Sequence, residues 1–300
     1  MSLVVMGTVA LDSLKTPHGR KKDLLGGSAS HFAMSARHFT PVHLCAVIGQ
    51  DFPKKHIRFF RNKKINTDSL TIEQGKTFRW KGEYKAQDLN VACTLNTTLG
   101  VIVNCLPRLT NTQKNTKNVF LANYDPDLQL EFLCQMNKPD FVGMDTMNLW
   151  INIKKKSVAR LLKKAHIVIV NDAEARDFTG EKNILKSAKA LLSYGPKMVI
   201  IKKGEHGGIF YSKNHLFALP AYPLEEVIDP TGAGDTFAGG VMGYLSKARK
   251  LNSKTLIKAV SYATIFSSFN VGGFGMQKTA KLTMRDVEAR MKVFREFFRF

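Results

Sequence analysis

The stretch Asp229 to Met242, DPTGAGDTFAGGVM, decides how the chain reads, because it sets a glycine-rich turn, a carboxylate and a helix start within a few residues. Gly232 and Gly234 bracket Ala233, so the backbone can turn with little steric hindrance and aim successive N–H groups at an anion. Phe237, Val241, Tyr244 and Leu245 fall at i, i+4, i+7 and i+8, an apolar face at helical period that runs out in SerLysAlaArgLys at 246–250. The N-terminus of that helix, with unpaired N–H groups and roughly half a positive charge, favours a negative ligand. Asp235 stands where the anion should bind. Either it caps the helix, as Asp readily does, or it takes the proton from the group that attacks the anion. The second arrangement is that of a phosphoryl transferase, and the helix dipole should then hold Asp235 ionised at neutral pH.

The apolar runs on either side set the fold class. They are 3–7, 43–49, 119–123, 141–145, 166–172 and 198–204, each ending in a polar or glycine residue, and their unbroken apolar character suits parallel strands covered on both faces. Helical stretches lie between them at Ser28 to Phe39, Pro126 to Met136, Ala173 to Phe178 and Ile184 to Tyr194. This alternation predicts an α/β fold, a doubly wound and mostly parallel sheet with helices on both faces. Ligands collect at the carboxyl ends of such strands, so the residues just past each run matter most. Residues 75–104 break the rhythm, and ThrPheArgTrpLysGlyGluTyr at 77–84 alternates apolar with polar, as an antiparallel strand open to solvent on one face would. Together with an excursion at 9–25 it predicts a small β lid, against the simpler reading of a surface hairpin.

The fourteen residues resemble the second signature of the PfkB family of sugar kinases, the ribokinase-like kinases. In that family the GlyAlaGlyAsp turn forms an anion hole and its Asp is the catalytic base, which implies those roles for Gly232, Ala233, Gly234 and Asp235. Gly26 and Gly27, before a helix start, read alone as a tight turn or a close backbone approach; they resemble the family's first signature, whose glycine pair packs against the sugar. Asp12 matches a family Asp that hydrogen-bonds substrate hydroxyls. The family's usual Asn is His31 here, either a substrate contact with an altered hydroxyl preference or a buried structural residue. Asn171 and Glu174 look like the family's Asn-x-x-Glu motif for organising Mg²⁺ and phosphate through water, though alone they read equally as a helix N-terminus.

Lys202, Gly204 and Gly207 resemble the family's glycine loop beside the phosphates. The family commonly has Thr where this chain has Lys202, whose charge goes either to the phosphates or to solvent. Asn270, after the apolar stretch Leu256 to Phe269, falls where the family places the adenine. Asp229 lies near the site where some family members bind a monovalent cation such as K⁺. In the segment 145–150, DTMNLW, aromatic and amide residues serve substrate contact or packing. The resemblance runs from about Val4 to Gly275 and implies one kinase domain over 1–300. Its substrates would be ATP, with Mg²⁺, and a hydroxyl of a sugar or nucleoside. The family's lid, built at 9–25 and 75–104, would exclude water that competes as nucleophile.

Composition allows this and leaves two rivals. With 45 Lys and Arg against 24 Asp and Glu, the net charge is +21. Such a surface suits acidic ligands and attracts nucleic acid non-specifically. The lysines come in short scattered clusters without an aromatic-interleaved stripe, which favours a solvated surface. The rivals are a kinase of a phosphorylated sugar and a catalytically silent relative that binds nucleic acid. Cys45, Cys93, Cys105 and Cys134 have no metal-ligand spacing and read as free thiols in a reducing compartment. No apolar run is long enough for a signal peptide or a membrane span, so the expectation is a cytoplasmic protein, monomer or homodimer. The tail, Leu282 to Phe300, mixes Arg with Phe at helical spacing and predicts a closing helix.

Overall fold

The computed structural model describes residues 1–248 and 250–297. Arg249, at the end of the expected helix, and the last three residues of the expected tail helix lie outside that range. β1 (Leu3–Met6) runs through the sheet; the chain then leaves it for a hairpin, β2 (Ala10–Thr16) and β3 (Gly19–Gly26), and returns through α1 (Ser28–Ala36) to β4 (Val42–Gly49). α2 (Lys54–Asn62), β5 (Ile65–Asn66) and β6 (Leu70–Glu73) finish that side. A second excursion, β7 (Arg79–Lys85) and β8 (Asp88–Thr98), leads through α3 (Asn111–Lys114) to β9 (Asn118–Leu121), α4 (Pro126–Cys134) and β10 (Phe141–Met144). Then come α5 (Asn148–Ile153), α6 (Lys155–Leu162), β11 (Ile167–Asn171), α7 (Asp172–Thr179), α8 (Ile184–Ser193) and β12 (Met198–Lys202). β13 (Gly208–Ser212), β14 (Leu216–Leu219), α9 (Ala233–Lys247), α10 (Ser253–Asn270) and α11 (Met284–Glu296) complete the chain.

The large sheet has the order β14-β13-β12-β11-β10-β9-β1-β4-β5, with β6 also on β4. Every pairing from β12 to β5 is parallel. Alternate residues of one strand enter two different cores, which is why the runs are apolar without interruption. Leu3, Val5, Leu44, Phe120, Ile169 and Ile200 pack against α1, α9 and α10. Val4, Met6, Val119, Val168, Val170 and Ile201 pack on the opposite face. β13 and β14, outside the six expected runs, extend the sheet antiparallel at one edge.

The glycines that follow the signature turn are packing residues. A Cβ on Gly239 would lie 2.2 Å from the Phe32 carbonyl, one on Gly243 2.8 Å from Ala36 Cα, and one on Gly240 2.7 Å from Ala263 Cα. α9 therefore lies directly on α1 and α10, and this close contact fixes where its N-terminus points. α11 starts on a Thr283 capping box and buries Val287 and Met291 with Ile265 and Phe266.

The second sheet has the order β3-β2-β7-β8. β2 pairs antiparallel with β3 and β7 with β8, while β2 and β7 run parallel. Within the segment 75–104 the small sheet ends at Thr98, and the turn Gly100–Ile102 leaves it and buries Val101 and Ile102.

Candidate functional site

The carboxyl ends of β10, β11 and β12, the start of α9 and residues of the small sheet converge, and we take the space between them as the candidate cleft. Gly232 is the N-cap of α9 at φ 72°, and no side chain caps the helix. Asp235 is therefore not a cap, which removes one of the two readings of the turn. Among the described residues the N–H groups of Gly232, Gly234 and Asp235 meet no acceptor, and the Asp235 carboxylate accepts no hydrogen bond. Three open donors and one open carboxylate thus share a single turn. Burial raises the Asp235 carboxyl above its ordinary range, opposed by His31 and then by Lys202. Desolvation thus works against the helix dipole expected to hold the group ionised.

Asp12, on β2, is 4% exposed. A Cβ on Gly26 would lie 1.8 Å from its Oδ2, and the Gly27 N–H donates to its carboxylate. Gly26 thus makes room for this carboxylate, while Gly27, at φ 93°, caps α1 with its backbone against the Thr8 carbonyl. Burial, together with the charges of Asp229 and Asp235, pushes the Asp12 carboxyl up to about 7, against the Gly27 N–H.

His31 and Asn270 meet beside the turn. His31 is 1% exposed; its ring lies against Gly232, where a Cβ would come within 2.3 Å, and Nδ1 is 3.2 Å from Asn270 Oδ1. Burial lowers its pKa, against the pull of Asp235 and Asp229. Asn270 is equally enclosed; its amide donates to the Thr231 carbonyl at 2.8 Å and accepts from Thr236 Oγ1 at 3.1 Å. Both side chains are buried, and these bonds brace the turn, as the structural reading of His31 expects. Asp229, fully buried, accepts from Thr231 N at 3.0 Å and from Gly275 N at 2.8 Å, tying the loop before α9 to the loop after α10.

At the ends of β11 and β12, Asn171 and Glu174 form a reciprocal capping box for α7, each bond 2.7 Å. Glu174 spends one oxygen on it. Burial raises Glu174, with Lys202 opposing. Lys202 turns inward: its Nζ would lie 2.7 Å from a Cβ on Gly234. Gly204, at φ 55°, is covered by Asn90 of β8, and Gly207, at φ 79°, packs on the Leu219 and Pro220 backbone.

Two further residues belong to the site. Asp145, at the end of β10, is buried; its Oδ1 has no partner among the described residues, and burial raises it well above the carboxylate range, with Asp235 adding to the shift and Lys202 opposing it. The strand-end rule applied to PheValGlyMetAsp at 141–145 points to it. Tyr84, on β7, reaches down from the small sheet to accept a hydrogen bond from Thr231 Oγ1 at 3.3 Å. Burial raises its phenol, and the charges of Asp229, Asp12 and Asp235 add to this. At the other end Asn90 donates to Glu205 at 3.4 Å, so the small sheet touches both sides of the cleft. Trp150 in the 145–150 segment donates to Asn123 Oδ1 at 2.9 Å.

A model described as pfkB family carbohydrate kinase matches residues 6–282. The chain is 31% identical over 256 residues to the cytidine kinase of Thermococcus kodakarensis, covering 84% of this chain and 91% of that one. It is 24% identical over 267 residues to the nucleoside kinase of Methanocaldococcus jannaschii, 88% and 84% of the two chains. The crystal structure of that nucleoside kinase superposes with a TM-score of 0.77 over 98% of this chain and 99% of that one, at 20% identity. Aminoimidazole riboside kinase from Salmonella enterica, solved with aminoimidazole riboside and an ATP analogue, gives 0.77 over 97% and 100%, at 19% identity.

Proposed function

The chain belongs to the pfkB family of carbohydrate kinases, and we propose that it moves the γ-phosphoryl group of ATP to a hydroxyl of a sugar or nucleoside in the cleft beneath the small sheet. The observation that carries the site assignment is the turn itself, where three unpaired amides and an uncapped Asp235 carboxylate lie together. Asp12 and the Gly26–Gly27 pair hold the acceptor's hydroxyls. Asp235 aligns the reacting hydroxyl and accepts its proton as the bond to the γ-phosphorus forms and the bond to the β–γ bridging oxygen breaks. ADP leaves, and the proton later passes to solvent. Because burial raises Asp235, it is a better proton acceptor than an exposed carboxylate. The transition state is loose, so the proton can leave late. The amides of Gly232 to Gly234 absorb charge on the phosphoryl oxygens. The small sheet acts as a lid, with Tyr84 and Asn90 closing the two ends against water.

The donors fit a magnesium ion. Asp145 Oδ1 is buried without a partner, and Glu174 has an oxygen left over from its capping box, so hard oxygen ligands are at hand. Among the described residues no group of three His, Cys, Asp or Glu could hold a metal alone, as suits an ion that keeps waters and takes phosphate oxygens. Asp145 and Glu174 would hold it, with Asn171 acting through water. When bound it would screen charge on the phosphates. Asp229, whose carboxylate joins the loop before α9 to the loop after α10, would lie beside a monovalent ion such as K⁺.

No helix of the described residues is long and apolar enough to cross a membrane. The reading places the enzyme in the cytoplasm with its four free thiols. The test is ADP release against a panel of sugars, nucleosides and sugar phosphates with Mg²⁺, with and without K⁺. Turnover confined to a sugar or nucleoside is expected; no turnover with any acceptor would defeat the reading.

A further inference from the structure

We propose that Lys202 binds the transferring phosphoryl group directly, so that this chain reads the γ-phosphate with an ammonium set beside the signature turn. This rests on the phosphotransferase reading above and deepens it. Lys202 closes β12, in register beside Asn171 on β11, and its ammonium lies against Gly234 in the first turn of α9. That is an unfavourable place for a cation, because the helix N-terminus is itself positive. The Asp145, Glu174 and Asp235 carboxyls lie within its field: burial raises the pKa of each, and the charge of Lys202 opposes that rise.

Yet among the described residues Nζ makes no hydrogen bond and no ion pair within 4.0 Å. Its three donors are therefore open to a ligand. A half-buried ammonium with open donors, beside open amides, is matched by a ligand with several charged oxygens, which is what a γ-phosphoryl group presents. Arrival of that group would give the Lys202 ammonium charged acceptors. During transfer Lys202 neither gains nor loses a proton. The acceptor oxygen bonds to the γ-phosphorus, the bridging oxygen departs on ADP, the hydroxyl proton goes to Asp235, and the ammonium stays with the phosphoryl oxygens. The Thr common in the related kinases offers a hydroxyl at this position and no charge. This chain should therefore recognise the γ-phosphate even without a divalent ion.

The experiment compares wild type, Lys202→Thr and Lys202→Arg. ATP and ADP are titrated calorimetrically in EDTA, and ADP release is then measured with Mg²⁺. Wild type should bind metal-free ATP roughly tenfold or more tighter than ADP, the scale of one charge-assisted hydrogen bond. Lys202→Thr should lose that preference, and Lys202→Arg should keep most of it. With Mg²⁺, Lys202→Thr should turn over roughly 10- to 100-fold more slowly. If wild type transfers phosphoryl and Lys202→Thr keeps both the ATP preference and the rate, this inference alone is overturned. If wild type releases no ADP with any acceptor, the phosphotransferase reading is overturned and takes this one with it.

Discussion

Replacing Asp12 by Asn should stabilise the ligand-free protein at pH 8 while impairing substrate binding. The Asp12 carboxyl is pushed from 3.8 to about 7, first by burial and then by the charges of Asp229 and Asp235. A group raised in this way is protonated in the folded state while the unfolded chain has already ionised. Its contribution to stability is complete below about pH 4, falls as pH rises, and is gone above about pH 7. At about 1.4 kcal/mol for each pH unit, the loss over that window reaches about 4 kcal/mol as a ceiling, since water entry and relaxation reduce it. Asn keeps the shape and an acceptor for the Gly27 N–H but carries no charge at any pH. Urea unfolding without ligands, at several pH values from 4 to 8, should show the two proteins close at pH 4 and the variant more stable by pH 8, with equal m-values. The KM for the acceptor should rise, because the charge that strains the empty site binds its hydroxyls. A difference in stability that does not change between pH 4 and pH 8 would refute the reasoning.

Gly232→Ala should destabilise the fold by at least about 1–2 kcal/mol, because φ 72° disfavours an L-residue and the new Cβ meets the His31 ring; thermal unfolding several degrees lower checks it. Asn171→Asp retains an acceptor for the Glu174 N–H, so α7 should keep its start and the melting temperature should hold within a degree or so. The extra negative charge near Glu174 should nonetheless shift the Mg²⁺ concentration for half-maximal rate. An unchanged Mg²⁺ dependence would leave Asn171 a helix cap alone.

The parallel core was legible because strands buried on both faces must be apolar throughout, and the six runs at 3–7, 43–49, 119–123, 141–145, 166–172 and 198–204 became β1, β4, β9, β10, β11 and β12. β13 and β14 were not, since GIFYS and LFAL are short, partly buried strands joined directly as an antiparallel pair, outside the strand–helix–strand alternation. The small sheet showed through the alternation at 77–84, but its parallel seam between β2 and β7 joins segments far apart in sequence. At the site, local chemistry was readable and depth was not. The turn at Gly232 to Asp235 depends on neighbours in sequence. Whether His31 and Asn270 face the cleft depends on how α1 and α10 pack against α9, which the glycines at 239, 240 and 243 decide. Tyr84 reaches Thr231 across the lid, a contact that no local pattern announces.

The most direct measurement is turnover and ATP affinity of Asp235→Asn, the variant that keeps the shape of the turn and removes its proton acceptor. The account predicts a fall in turnover of roughly 10² to 10⁴ with ATP binding retained; turnover near that of the unmodified protein would contradict it.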